Sequence, residues 1–209
     1  MSQAQGQVPP SASELAAYKG LHAAAHKGDM AAINRLIRDG ADLKRTDGRG
    51  RTAIHVAAFA SHDEVVMTLA SAGADPNRLE NDKYDIITIA AVANDADMVR
   101  TAVNAGGDAT NITSIYDGTA LIAAAHLGHW ESVEVLIEAG APLDHVNNLG
   151  WTALIEAVVL GDGGSRHVKT AKLLIKAGAD QSITDRNGRT PMELARDRGY
   201  GGMIRALTP

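Results

Sequence analysis

Short runs of apolar residues recur along the chain, alternating between two kinds. One kind places bulky aliphatic residues at helical spacing, as with Val133, Leu136 and Ile137. The other kind, such as residues 53–60, is shorter and rich in alanine, which lets neighbouring helices approach closely. Polar loops such as residues 47–50 separate the pairs. The pattern predicts pairs of short helices in which one has a small-residue face and the other is amphipathic.

Two sequence markers repeat in the same register. A glycine followed by Ala or Gly and then Asp or Pro returns at intervals of 33, 33, 34 and 38 residues, at Gly40, Gly73, Gly106, Gly140 and Gly178. A residue suited to cap a helix returns in step with it, at Thr52, Asp85, Thr119, Thr152 and Thr190. The cap residues are expected to start the first helix of each unit, and the glycines to end the second in a left-handed conformation. A period of about 33 residues is typical of a repeat array.

The repeat resembles a known family. Residues 50–58, GRTAIHVAA, resemble the ankyrin signature G-x-T-P-L-H-x-A-A, and residues 150–154 and 188–192 resemble shorter versions of it. The resemblance implies an all-α ankyrin-repeat solenoid of about six helix-turn-helix repeats with hairpin loops and terminal caps. It also extends to bacterial ankyrin-repeat proteins, some of which are exported to the periplasm.

The repeats are expected to form one domain over residues 14–207, after a flexible segment over residues 1–13. Their approximate bounds are 14–46, 47–79, 80–112, 113–146, 147–184 and 185–207. Ser11 and Glu14 form an S-x-x-E capping box at the start of an N-terminal cap, and the charged residues 196–200 indicate a C-terminal cap. Residues 1–13 lack a secretion signal but resemble the start of a mature exported chain. The bacterial periplasm and the cytoplasm both remain open, and the periplasm is favoured.

Composition narrows the classes of function. The chain has 209 residues, of which 45% are hydrophobic, and a net charge of −5, which argues against a general affinity for nucleic acid. It has no cysteine, so disulfides and thiolate chemistry are excluded. No apolar run approaches the roughly 18 residues of a membrane span. We therefore expect a monomer without a cofactor or membrane insertion.

In ankyrin folds the partner usually meets the hairpin tips and the exposed ends of the first helices, which line a concave face. The resemblance therefore implies a protein-protein interaction module without catalytic activity, binding a protein of unknown identity. The matching positions in this chain are Arg49, Arg51, Phe59, Tyr84, Tyr116, His126, Leu127, Leu149, Trp151 and Leu160. Because aromatic residues are the commonest anchors of interfaces, the rings in this set are the strongest candidates.

A longer turn in the fifth repeat, residues 161–167, gives an alternative function. Its glycines and the following helix start could bind a small molecule or an anion, through Gly163, Gly164, Ser165 and Arg166. No strand precedes the loop and no lysine stands at phosphate-loop spacing, so a flexible surface loop is the competing interpretation.

Other chemistry finds little support in the sequence. Asp162, Ser165 and His167 have the residue types of a catalytic triad, but they lie too close together in one loop to adopt its geometry. His126 and His129 could share a metal ion, yet no third ligand is evident. The sequence therefore predicts neither a catalytic site nor a metal site.

Overall fold

The structure is a computed structural model that describes residues 7–208. This part of the chain is helical, with one isolated antiparallel bridge between Thr113 and Gly118. Its helices are α1 (Ala12–Ala17), α2 (Gly20–Lys27), α3 (Met30–Arg38), α4 (Ala53–Phe59), α5 (Asp63–Ser71), α6 (Ile86–Val92), α7 (Ala96–Asn104), α8 (Ala120–Leu127), α9 (Trp130–Glu138), α10 (Ala153–Val159), α11 (Ser165–Ala177), α12 (Pro191–Asp197) and α13 (Gly201–Leu207). None of these helices is long and apolar enough to cross a membrane.

The chain divides into two compact units, with the boundary between Asp108 and Ala109. Unit 1 contains α1 to α7 and unit 2 contains α8 to α13. From α2 onward the helices form pairs, each with a first and a second helix. In unit 1 the first helices α2, α4 and α6 pack side by side, and in unit 2 the first helices α8, α10 and α12 do the same.

The predicted caps start the first helices. The side chains of Asp85, Thr119, Thr152 and Thr190 each accept a hydrogen bond from the backbone amide three residues later. Thr52 forms a capping box with His55, whose Nδ1 lies 3.2 Å from the Thr52 amide nitrogen. These bonds satisfy amides that the first helical turn leaves without a partner, so each repeat begins at a fixed residue.

Left-handed residues form the turn between the two helices of a repeat. Gly28 and Gly128 have φ angles of 65° and 66°, and Ser61 and Asn94 adopt similar angles of 56° and 58°. At position 28 a larger residue would also clash, because its Cβ would lie 2.9 Å from the ring of His62. The predicted helix-ending glycines are likewise left-handed, with φ between 75° and 102°, at Gly40, Gly73, Gly106, Gly140 and Gly178.

The long turn of the fifth repeat is only partly a loop. Helix α11 has 13 residues where α5, α7 and α9 have nine, so much of the extra sequence extends this helix. Gly161 is buried, and its carbonyl oxygen accepts a 3.1 Å hydrogen bond from the Tyr200 hydroxyl. A Cβ on Gly163 would lie 2.6 Å from the Tyr200 ring. Part of this segment therefore packs against Tyr200, while Asp162, Ser165 and Arg166 are exposed as expected of a surface loop.

The N-terminal cap begins as predicted, with a capping box between Ser11 and Glu14 at the start of α1. Residues 1–6 of the segment expected to be flexible lie outside the described residues. Within its remainder, the Gln7 side chain donates a 3.0 Å hydrogen bond to the carbonyl oxygen of Ile89. The carbonyl oxygen of Val8 accepts one from Arg51, so this part of the chain lies against unit 1.

Candidate functional site

Four hairpins are each held by one side chain at their base, and the hairpin at residues 113–118 is closed by the bridge between Thr113 and Gly118. The Oδ1 atom of Asp47 accepts hydrogen bonds from the amides of Arg49 at 2.8 Å and Arg51 at 3.0 Å. In unit 2, Oδ1 of Asn147 accepts bonds of 3.0 Å from the amides of Leu149 and Trp151. Glu80 and Asp185 do the same in their hairpins. The predicted partner-binding residues at the tips therefore stand on a rigid backbone.

Arg51 was expected on the exposed tip of its hairpin, and the structure corrects this. Its side chain is 0% exposed. The guanidinium donates a 2.7 Å hydrogen bond to Oδ2 of Asp47, a 3.3 Å bond to the carbonyl oxygen of Val8, and a further bond to Glu14. Because α1 and the residues before it cover this position, Arg51 fastens the N-terminal cap to the second repeat.

The charges around Arg51 form a coupled network. Burial alone would raise the pKa of Asp47, but hydrogen bonds from the Tyr18 hydroxyl and from the amides of Arg51 and Arg49 outweigh it and lower the pKa. The Tyr18 hydroxyl donates its bond to Asp47 over 2.6 Å. Ser11, through hydrogen bonds, and to a smaller degree Arg51 lower the pKa of Glu14. These carboxylates stay ionised in the folded chain and hold α1 in place.

Tyr84 was also expected at an exposed tip, and it is buried, with 8% of its surface exposed. Burial of an aromatic ring removes a large apolar area from water, so Tyr84 stabilises unit 1. The other candidates of this unit remain accessible in part. The Arg49 side chain is 42% exposed and lies 3.7 Å from Glu14 and 3.6 Å from Asp82, and Phe59 is half-buried at the end of α4.

The candidates of unit 2 lie on two neighbouring first helices and on two neighbouring hairpins. Helices α8 and α10 pack side by side. Leu127, the last residue of α8, is 38% exposed, and Leu160, which directly follows α10, is 43% exposed. The two hairpins beside them are joined by a 2.9 Å hydrogen bond from the Asn148 amide to the Tyr116 carbonyl oxygen. The remaining candidates, Tyr116, His126, Leu149 and Trp151, are half-buried. We call the surface formed by Tyr116, His126, Leu127, Leu149, Trp151 and Leu160 the unit-2 face.

Sequence reasoning missed one residue beneath this face. Glu156 of α10 is buried, with 3% of its surface exposed. Its Oε1 atom accepts a 2.9 Å hydrogen bond from Nδ2 of Asn147, and its Oε2 atom lies 3.3 Å from Nδ1 of His126. The sequence did carry a signal, because the equivalent residue of other repeats, four after the cap, is apolar. These residues are Val56, Ile89, Ala123 and Leu194.

One donor of the predicted anion site, the Gly164 amide, is occupied by a side chain of the same loop. The amide of Gly164, at the start of α11, donates a 2.8 Å hydrogen bond to Oδ1 of Asp162. Nδ1 of His167 lies 3.1 Å from the same oxygen, and these two contacts, with the Gly164 amide first, lower the pKa of Asp162. Gly163 lies against the Tyr200 ring, while Ser165 and Arg166 are exposed. The amide that would receive an anion is therefore occupied by a carboxylate.

The histidines have structural partners. Nε2 of His167 lies 3.0 Å from the carbonyl oxygen of His126, and Nε2 of His62 lies 3.0 Å from that of His26. Both rings therefore bridge neighbouring repeats at the same repeat position. In residues 7–208, no three His, Asp or Glu side chains lie together in a way that could hold a metal ion.

Comparison with known proteins agrees with the repeat geometry. The family model described as "Ankyrin repeats (3 copies)" matches residues 15–80 and 86–185. The chain belongs to the ankyrin-repeat family. Its fold class is accordingly the all-α ankyrin-repeat solenoid that the resemblance implied.

Bacterial ankyrin proteins are among its relatives. The crystal structure of EF0377, an ankyrin-repeat protein, has 31% identity and a TM-score of 0.84, and the match covers 91% of this chain and 98% of that one. An ankyrin-repeat domain (ABAYE2397) from Acinetobacter baumannii AYE has 39% identity and a TM-score of 0.83, covering 90% and 95% of the two chains. The Escherichia coli K12 ankyrin-repeat protein YahD is 38% identical over 98 residues, or 46% of this chain and 49% of YahD. The chain thus matches about half the length of that relative.

Proposed function

We propose that this chain is a protein-binding module whose partner docks on the unit-2 face, and that it has neither catalytic activity nor a cofactor. Ankyrin-repeat domains generally mediate protein-protein interaction. The observation that carries the proposal is the pair of exposed leucines, Leu127 and Leu160, at the ends of two adjacent first helices. Burying a large aliphatic side chain away from water lowers the free energy, and contiguous exposed apolar patches commonly mark interfaces.

The surroundings of the two leucines suit a partner. Tyr116 and Trp151 supply half-buried rings on rigid hairpins, so little conformational entropy would be lost when they are covered. Aromatic side chains in such positions are common anchors of binding energy. In unit 1 the corresponding hairpin position, Arg51, is already covered by residues of the N-terminal segment. The unit-2 face is therefore the better-exposed candidate.

Affinity capture from the source cells tests this proposal, with the intact chain as bait. A bait carrying Leu160→Asp places a charge on the unit-2 face and should retain at least tenfold less of the captured partner. The matched control is Met67→Asp, which changes an apolar residue of similar exposure (37%) on a second helix of unit 1. Equal recovery by the wild type and Leu160→Asp would refute docking on this face.

A further inference from the structure

Glu156 is a buried carboxylate with one oxygen satisfied. Its side chain is 4% exposed, and Oε1 accepts the hydrogen bond from Asn147. Oε2 is shielded from solvent and has no hydrogen-bond partner among residues 7–208. His126 lies 3.3 Å from it, but without the alignment of a hydrogen bond. In the free chain, Oε2 of this buried carboxylate is therefore in contact with His126 but accepts no hydrogen bond.

Burying such a group in a core reduces the stability of the folded chain. An ionised carboxylate removed from water is destabilised by several kcal/mol unless a cation or several donors compensate it. The ankyrin scaffold does not require it, because Val56, Ile89, Ala123 and Leu194 occupy the same repeat position. Asn147 is adapted to it, since asparagine both holds the hairpin through Oδ1 and donates to Glu156 through Nδ2. An aspartate there, as at Asp47 and Asp185, would repel the carboxylate.

Glu156 lies directly beneath the surface on which the partner is proposed to dock. It lies behind His126, whose side chain is 27% exposed on the unit-2 face, next to Leu127 in sequence. The end of its own helix carries the exposed Leu160. A partner covering these leucines would exclude water, and an ion pair is much stronger in such an environment than in water.

We propose that the partner of the unit-2 face inserts a lysine or arginine side chain beside His126, and that its cationic group binds Oε2 of Glu156. The inference rests on the proposed function and adds the partner's chemistry to it. A long basic side chain fits because its aliphatic stem packs against leucines while its charged end reaches the carboxylate. Because Oε2 is shielded and His126 lies 3.3 Å from it, binding of the basic group requires the His126 side chain to move. An acidic partner group would be repelled by the carboxylate.

The test uses a defined probe, a phage-displayed library of random 12-residue peptides selected against the intact chain. The tightest binder is synthesised with a fluorophore, and its affinity is measured by fluorescence anisotropy. We expect this peptide to carry a lysine or arginine flanked by apolar residues. Replacing that residue with norleucine or citrulline, which removes the charge and keeps the chain length, should weaken binding at least tenfold.

The protein side is tested with Glu156→Gln, which keeps the acceptor for Asn147 and removes the charge. This variant should bind the same peptide at least tenfold more weakly. Its affinity for the uncharged peptide should be little lower than that of the wild type for the uncharged peptide. The matched control is Glu131→Gln on α9, because Oε2 of Glu131 is likewise buried without a partner among the described residues. This control should leave the affinity unchanged.

The outcomes separate the two proposals. A peptide that needs Leu160, as shown by Leu160→Asp, but binds Glu156→Gln as tightly as wild type overturns the basic-partner inference and leaves the docking face standing. If the selected peptides bind Leu160→Asp and Glu156→Gln as tightly as wild type, or if the selection gives no binders, both proposals are overturned. If Glu156→Gln unfolds the chain, the uncharged peptide still decides the question on the wild-type protein.

Discussion

The buried Arg51 and the exposed Arg189 make a matched pair for testing how the N-terminal cap is held. Both occupy the residue before a capping threonine, and each pairs with an aspartate four residues earlier, Asp47 at 2.7 Å and Asp185 at 2.9 Å. The Arg51 side chain is 0% exposed, whereas that of Arg189 is 42% exposed. The aspartate side chains are both largely buried, 9% exposed at Asp47 and 3% at Asp185, so the two substitutions to alanine differ in the exposure of the arginine that is removed.

Removing Arg51 leaves buried carboxylate oxygens of Asp47 without their cation and frees Glu14 of α1. Breaking a buried ion pair by removing one partner costs about 3–5 kcal/mol, whereas exposed pairs contribute about 0–1 kcal/mol. For a chain of this size, 1 kcal/mol corresponds to about 2–4 °C in melting temperature. Arg51→Ala should therefore lower the melting temperature by about 10 °C, and Arg189→Ala by less, because the Arg51 side chain is fully buried and that of Arg189 is 42% exposed.

Differential scanning calorimetry of the two variants and the wild type, at low salt and neutral pH, measures both effects. Amide hydrogen exchange should also rise in α1 of Arg51→Ala and not in Arg189→Ala. Equal melting temperatures for the two variants would refute the reasoning, because burial would then have no influence on the value of the pair.

The buried polar residues His55 and Thr170 should affect stability, and Trp151 of the unit-2 face should affect partner binding. Burial lowers the pKa of His55 to about 4, against 6.5 when unfolded, so acid favours the unfolded chain between these values. The free energy of unfolding from urea titrations should fall by about 2 kcal/mol between pH 7.5 and pH 5 through this group, a dependence that His55→Asn should lack. Thr170 is 0% exposed and its hydroxyl has no partner among the described residues, so Thr170→Val should raise the free energy of unfolding by about 1 kcal/mol in the same titrations. Trp151→Ala should reduce the binding free energy of a captured partner by about 2 kcal/mol in calorimetric titration. Trp130→Ala, on a second helix, should leave it unchanged.

Local sequence signals predicted most of the fold. A threonine or aspartate at a helix start and a glycine at a helix end act through bonds within a few residues, so Thr152 and Gly178 could be assigned from their spacing alone. The turn residues Ser61 and Asn94 also adopt the left-handed conformation of the glycines they replace. A repeat protein carries the same cap and glycine signals in each repeat, so its repeats can be recognised without tertiary information.

Contacts between distant residues could not be predicted in this way. The burial of Arg51 depends on Glu14 and Val8, which lie 37 and 43 residues away in the chain. The packing of Gly161 depends on Tyr200, 39 residues later. Repeat positions indicate where a side chain starts, but they do not show whether another segment covers it.

Glu156 is an intermediate case. Its departure from an apolar repeat position was visible in the sequence, but the residues it contacts, Asn147 and His126, lie in a hairpin and in the preceding first helix. Only the packing of α8 against α10 brings the three together. Repeat positions at the tips and helix ends predict exposed residues, whereas Glu156 occupies a buried position between them.

Site-specific photo-crosslinking tests the central claim, that a protein partner docks on the unit-2 face, most directly. Because the chain has no cysteine, a single cysteine at Leu160 can carry a benzophenone, and a second variant carries it at the exposed Glu134 of α9. Both labelled chains are illuminated in source-cell extract, and the adducts are compared on gels and by mass spectrometry. The account predicts one dominant protein adduct from position 160 and little or none from position 134. Equal adducts from both positions, or a dominant adduct from position 134 alone, would contradict it.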